Sequence, residues 1–150
     1  MAAGTWKVFN KAKHYIGDTT INLSGGTFHI TLHTSTTNLK TSASALPLTA
    51  YSQLTQEVAE NYGYSSSGKA LGVVRWTVGT GAQQQKFDIS ADPYWSANGG
   101  TITGIKYAAI RSGTNILCYC TLTTGAGGIS LTSGSRLTIQ FASGGCLTLA

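Results

Sequence analysis

The chain of 150 residues is long enough for one domain with a sizeable core. Only 10% of its residues are charged, 41% are apolar and nineteen are glycine, which excludes a Glu/Lys-rich helical protein and a disordered chain alike. Ten Lys and Arg against five Asp and Glu give a formal net charge of +5, but only Lys7, Lys11 and Lys13 form a local cluster, so no specific nucleic-acid binding is expected.

In chain order, residues 5–16 (TWKVFNKAKHYI) place Trp6, Phe9 and Ile16 near a 3.6-residue period and predict a short amphipathic helix, or an N-terminal arm over residues 1–16. Residues 17–150 read as one β domain. Phe28, Ile30 and Leu32 alternate with His29, Thr31 and His33, the pattern of a half-buried strand. Residues 34–47 show neither period and read as a long Ser/Thr/Ala loop. Leu48, Tyr51, Leu54 and Val58 favour a helical turn before an extended piece. A strand over 70–79 and one opened by Gln85, Phe87 and Ile89 flank a Gly79-Thr80-Gly81 turn, and Asp92-Pro93-Tyr94-Trp95 reads as a further turn carrying two large aromatics.

The stretch Gly99–Leu122 predicts a hairpin reversed at Ser112-Gly113-Thr114-Asn115. Its strands are apolar on both faces, with Ile105, Tyr107 and Ala109 opposite Ala108 and Ile110, so it belongs at the centre of the fold. An alternating strand at Arg136–Phe141, a Ser143-Gly144-Gly145 turn and a last strand at Cys146–Leu149 complete the series. Eight to ten short strands between Gly-rich turns predict an all-β, single-domain antiparallel β-sandwich or barrel with one or two short helical turns.

No constellation of catalytic groups emerges, and the chain is read as a non-enzyme. Glu57 and Glu60 read as solvated charges, and Asp88 and Asp92 flank a turn where Asp commonly bonds its own backbone. His29 and His33 have a helix-type metal spacing, but on a strand they stand ~13 Å apart, too far for one ion. Cys118 and Cys120 point the same way from Cα atoms ~6–7 Å apart, which disfavours a mutual disulfide. Three cysteines therefore read as reduced, core-filling thiols of a protein made in a reducing cytosol. No phosphate loop or nucleophile elbow occurs, so neither metal nor cofactor is expected. No run approaches the ~18 apolar residues of a membrane span, and Met-Ala-Ala-Gly-Thr-Trp lacks a signal's apolar core.

Several stretches share one order: TFHITLHTS, NYGYSSSGKAL, QKFDISADPYWSANGGTITGIKYAAI, ILCYCTL, SRLTIQF and GGCLTL. Over nearly the whole chain this succession resembles the capsid decoration (cement) proteins of tailed bacteriophages, with Gly68-Lys69 where paired glycines are usual. The resemblance implies a jelly-roll-like sandwich, a homodimer or homotrimer, that sits on the outer surface of the virion. There it bridges subunits of the phage major capsid protein, after synthesis in the bacterial host cytoplasm. Trp6, Lys7, Lys11 and Lys13 read either as capsid contacts, since a basic aromatic segment complements an acidic outer surface, or as a solvated helix face with Trp6 packed in the sandwich. Tyr94 and Trp95 are candidate interface anchors or core plugs. The alternative is a carbohydrate- or receptor-binding module of a head fibre or tail, using Tyr62, Tyr64, Tyr94 and Trp95.

Overall fold

A computed structural model describes residues 4–72, 74–78, 85–142 and 145–149. The chain folds as an all-β, sandwich-like domain of antiparallel strands. Its centre is the hairpin of β7 (Ile102–Ser112) and β8 (Asn115–Thr121). Ile105, Ala108, Ile110 and the whole of Ile116–Cys120 are buried, as two-sided apolar strands require. On its other edge β7 pairs with β2 (Phe28–Thr34), and the sheet runs β1-β8-β7-β2-β3, with β1 at Lys7–Val8 and β3 at Lys69–Ala70. Strand β9 (Ile129–Leu131) also pairs with β7.

The two faces of this sheet are covered differently. One carries Phe28, Ile30, Leu32, Ala108, Ile110, Cys118 and Cys120, and meets a second sheet of β4 (Val74–Val78), β5 (Gln85–Ile89) and β11 (Leu147–Leu149). Phe28 and Phe87 join the layers with ring centroids 4.9 Å apart. The opposite face carries His29, Thr31, His33, Ala109 and Tyr119 and lies under the segment that follows β2. A two-strand ribbon of β6 (Tyr94–Ser96) and β10 (Arg136–Thr138) stands apart.

Several elements differ from the sequence expectation. Residues 7–8 are a strand rather than the start of a helix, because β8 offers a free edge: Lys7 pairs with Tyr119, Val8 with Cys118, and Phe9 N bonds Leu117 O at 3.1 Å. Helix α1 (Asn10–Gly17) begins only after them, with Phe9 and Ala12 fully buried. Within the expected 34–47 loop, Thr37 caps a 3₁₀ turn at Asn38–Lys40 and Thr41 caps a one-turn helix, α2 (Ser42–Ala45). A second 3₁₀ turn at Tyr51–Gln53 matches the helical turn read there. Tyr94 and Trp95 belong to a strand, not a turn, since Trp95 pairs with Leu137 and Tyr94 with Thr138. The strand expected over 136–141 stops at Thr138; Ile139 N still bonds Pro93 O, but Phe141 N turns onto the Asp92 carboxylate. The turns expected at 79–81 and 143–145 lie wholly or mainly outside the described residues.

Ile110 lies on the central strand, cross-strand from Ile30 and Cys118, with no exposed surface. Ile110→Ala is expected to lower unfolding free energy by about 2–5 kcal/mol in urea melts, the range for a cavity in a core that cannot collapse.

Candidate docking surfaces

The residue types that carry chemistry are mostly absorbed into the interior. Cys118, Cys120 and Cys146 are free and buried. Burial pushes the Cys120 thiol up to about 12, and burial together with a hydrogen bond to Cys146 raises Cys118 further from reactivity. His33 is fully buried: its Nδ1–H donates to Thr55 O at 3.0 Å, which leaves Nε2 to accept from Thr31 Oγ1 at 2.9 Å. His29 is half-buried across from Arg111, and its Nδ1 has no partner. Among the described residues no three His, Cys, Asp or Glu side chains are placed to share a metal ion.

The carboxylates are engaged at home. Glu57, read from sequence as a solvated charge, is half-buried and accepts hydrogen bonds from the hydroxyls of Tyr51 and Tyr64, the latter at 2.6 Å. Burial, with Glu57 as acceptor, pushes the Tyr51 hydroxyl up to about 12 and Tyr64 higher still. Glu60 accepts from the backbone and hydroxyl of Ser66. Asp18 meets Thr20 N and His14, Asp88 meets Ile89 N and Lys86, and Asp92 accepts from Phe141 N. Among the described residues Lys86 is the one Lys or Arg within ion-pair distance of a carboxylate. The excess of ten Lys and Arg over five carboxylates is therefore not offset by local ion pairing.

Two regions present that charge. At the N-terminus, Trp6 stacks on Phe141 with centroids 5.6 Å apart and planes at 19°. Lys7 donates to Ser42 Oγ at 2.9 Å from an exposed position, Lys11 lies 5.3 Å from the Tyr15 ring, and Lys13 is exposed. The structure therefore places Lys7, Lys11 and Lys13 on one short strand–helix segment, while half of Trp6 is used for packing.

The second region surrounds Tyr94. The aromatics named from sequence divide: Trp95 is 4% exposed and Tyr64 2%, both core, whereas Tyr94 is 42% and Tyr62 44% exposed. Alternation along β6 explains the division, since Trp95 and its partner Leu137 point inward and Tyr94 points out. Arg136 on β10 places its guanidinium carbon 3.5 Å from the Tyr94 ring centroid. Lys69 Nζ lies 4.2 Å from the same centroid and donates to Tyr94 O at 2.7 Å. Exposed contacts of this kind are worth about 0.5–1 kcal/mol each. Lys69 reaches this spot because the preceding loop is pressed onto β2: a Cβ on Gly68 (φ +78°) would lie 2.2 Å from Ile30 O. Lys69 also borders a cavity of about 180 Å³, together with Gly63, Ser65, Gly68 and Trp95. The sequence reading missed Lys69 and Arg136; the register of two three-residue strands joins one of them to Tyr94, and no local pattern reports it.

No family model, curated protein or solved structure matches this chain. Among the described residues no helix is long and apolar enough to cross a membrane.

Burial lowers the pKa of His33 from its ordinary 6.5, so the folded chain resists a proton that the unfolded chain accepts. Its contribution is present above pH 6.5 and is lost as pH falls below that value toward the folded pKa. His29, shifted the same way by burial and Arg111, adds to the trend. Urea melts from pH 7.5 to 5 are expected to show falling stability, with a shallower fall in His33→Gln.

Proposed function

We propose that this chain is a non-enzymatic virion structural protein, a capsid decoration (cement) protein that binds the outer surface of a phage head and bridges major capsid protein subunits. The observation that carries the reading is the one-sided use of charge. All five carboxylates are held by groups of the same chain, while nine of ten Lys and Arg meet no carboxylate within ion-pair distance among the described residues. A lone domain so low in charge gains little solubility from that arrangement, but a protein docked on an acidic lattice gains complementarity. Weak contacts repeated over many copies, or over a dimer or trimer of the chain, then add by avidity. The order of sequence signatures shared with phage cement proteins supports the same reading.

On this reading Lys7, Lys11 and Lys13 face the capsid from β1 and α1, with Trp6 holding that segment against Phe141. The alternative, a glycan- or receptor-binding module, draws on Tyr62 and Tyr94, the two exposed members of its aromatic set. It has less support, because Lys69 and Arg136 occupy the Tyr94 ring that a sugar would stack upon.

Co-sedimentation with expanded heads lacking this protein tests the proposal. The wild-type chain is expected to bind at micromolar concentration, and Lys11→Gln/Lys13→Gln to bind several-fold more weakly with a flatter salt dependence. Substitution is preferable to truncation, since Phe9 and Ala12 belong to the core. A wild-type chain that ignores heads yet binds a glycan would overturn the proposal.

A further inference from the structure

We propose that the Tyr94 cluster is a docking site for an extended acidic protein segment, whose Asp or Glu side chains meet Lys69 and Arg136. Hydrogen bonding around β6 fixes the geometry. Pro93 O and Ala97 N bond to β10-side residues, Ile139 and Ser135, so the odd positions face that neighbour. Tyr94 O and Asn98 N turn to the opposite edge, where they meet Lys69 Nζ and Tyr62 O. Arg136 therefore reaches the Tyr94 ring from one side of β6 and Lys69 from the other.

Two like charges held on one exposed ring, no more than about 8 Å apart, lie within a Debye length of each other at 0.1 M salt. No carboxylate among the described residues pairs with either. They reinforce each other's pull on an anion while the ring keeps them from spreading. Lys69 spends one donor on Tyr94 O and retains two; the guanidinium presents a donor fork suited to a carboxylate.

Spacing and occupancy select the partner. Side chains two residues apart on an extended segment are separated by roughly 6–7 Å, which falls within the limit of about 8 Å on the separation of the two cations. A segment with Asp or Glu at alternate positions can meet both at once, with its intervening residue over the exposed Tyr94 ring. A stacking sugar is disfavoured because the cations take up the ring.

The site is independent of the N-terminal lysines, so its test uses a free peptide and no heads. A labelled peptide with four Glu at alternate positions, separated by Thr, is titrated with the full chain by fluorescence anisotropy at about 0.05 M salt, where a few ion contacts are not screened. The alternating peptide is expected to bind, and an isomer with its Glu contiguous to bind more weakly. Lys69→Gln and Arg136→Gln should each weaken binding about tenfold, and Lys40→Gln, an equal charge change at an exposed site elsewhere, less than twofold. Thermal melts of the variants should stay cooperative and within a few degrees of the wild type, as expected for loss of one exposed contact. No binding of the peptide, equal losses in all three variants, or preferential binding of oligouridylate or a sulfated oligosaccharide would each overturn the site. A chain that binds heads but not the peptide overturns this inference alone; one that binds the peptide but not heads overturns the capsid reading alone.

Discussion

The outer edge of β2 sets the terms for most of this structure. A strand at that position exposes backbone N–H and C=O groups that need partners once it is covered. At one end β3 supplies them, with Ile30 opposite Lys69 and His29 opposite Ala70. At the other end the backbone of 56–58 does so: Gln56 O accepts from Thr34 N, and Val58 N donates to Leu32 O. Between the two, a side chain fills the gap. The hydroxyl of Tyr64 accepts the Leu32 N–H at 3.0 Å and passes its own proton toward Glu57, which also holds Tyr51. A carboxylate inside the fold is costly unless its oxygens are satisfied, and two phenols satisfy them. One edge thus ties down the long excursion after β2 and holds β3, from which Lys69 projects.

Much of the architecture was legible because burial on both faces leaves a strong mark on sequence. The central hairpin, the alternation of Phe28, Ile30 and Leu32, and the opening of β5 at Gln85, Phe87 and Ile89 follow the pattern expected. What escaped was decided by distant partners. Lys7 and Val8 extend along β8 although their neighbours carry a helical period, because an unpaired edge outweighs a weak local preference. Tyr94–Ser96 is a strand through its register with Arg136–Thr138, forty residues away in a Gly-rich chain. The caps at Thr37 and Thr41 were readable in principle: Thr before Asn-Leu-Lys and before Ser-Ala-Ser is an N-cap signal, obscured by the surrounding run of Ser and Thr.

The candidate surfaces were legible to a smaller degree, for a related reason. Exposure on a strand depends on parity, and parity shifts with one residue of register. Tyr94 and Trp95 are chemically alike as sequence, yet one pairs inward with Leu137 and the other outward with Thr138. Tyr62 and Tyr64 divide for another reason: they lie in a turn, Tyr62 with φ +48° and exposed, Tyr64 committed to β2. The basic lysines of the N-terminus were visible because clustering is local; the Lys69–Tyr94–Arg136 grouping draws on three separate elements and was not.

The interior network and the outward charge are two consequences of one scarcity. With five carboxylates against ten Lys and Arg, the chain is short of counter-ions, and Glu57 is drawn partly into the fold. Glu57 serves the β2 edge, Glu60 and Asp18 close turns on Ser66 and Thr20, Asp92 receives Phe141 N, and Asp88 lies beside Ile89 N and Lys86. Lys and Arg carry long stems that let most of their heads reach water, even where Arg111 and Lys69 donate to backbone carbonyls and Lys86 pairs with Asp88. Positive surface charge therefore grows out of how the fold satisfies its own backbone. A surface of that kind attracts acidic partners at long range, and the aromatic rings under Lys11, Lys69, Arg111 and Arg136 hold four of those cations in place. Pre-ordered cations lose less freedom on binding than mobile ones, so the same few charges bind more tightly than their number suggests.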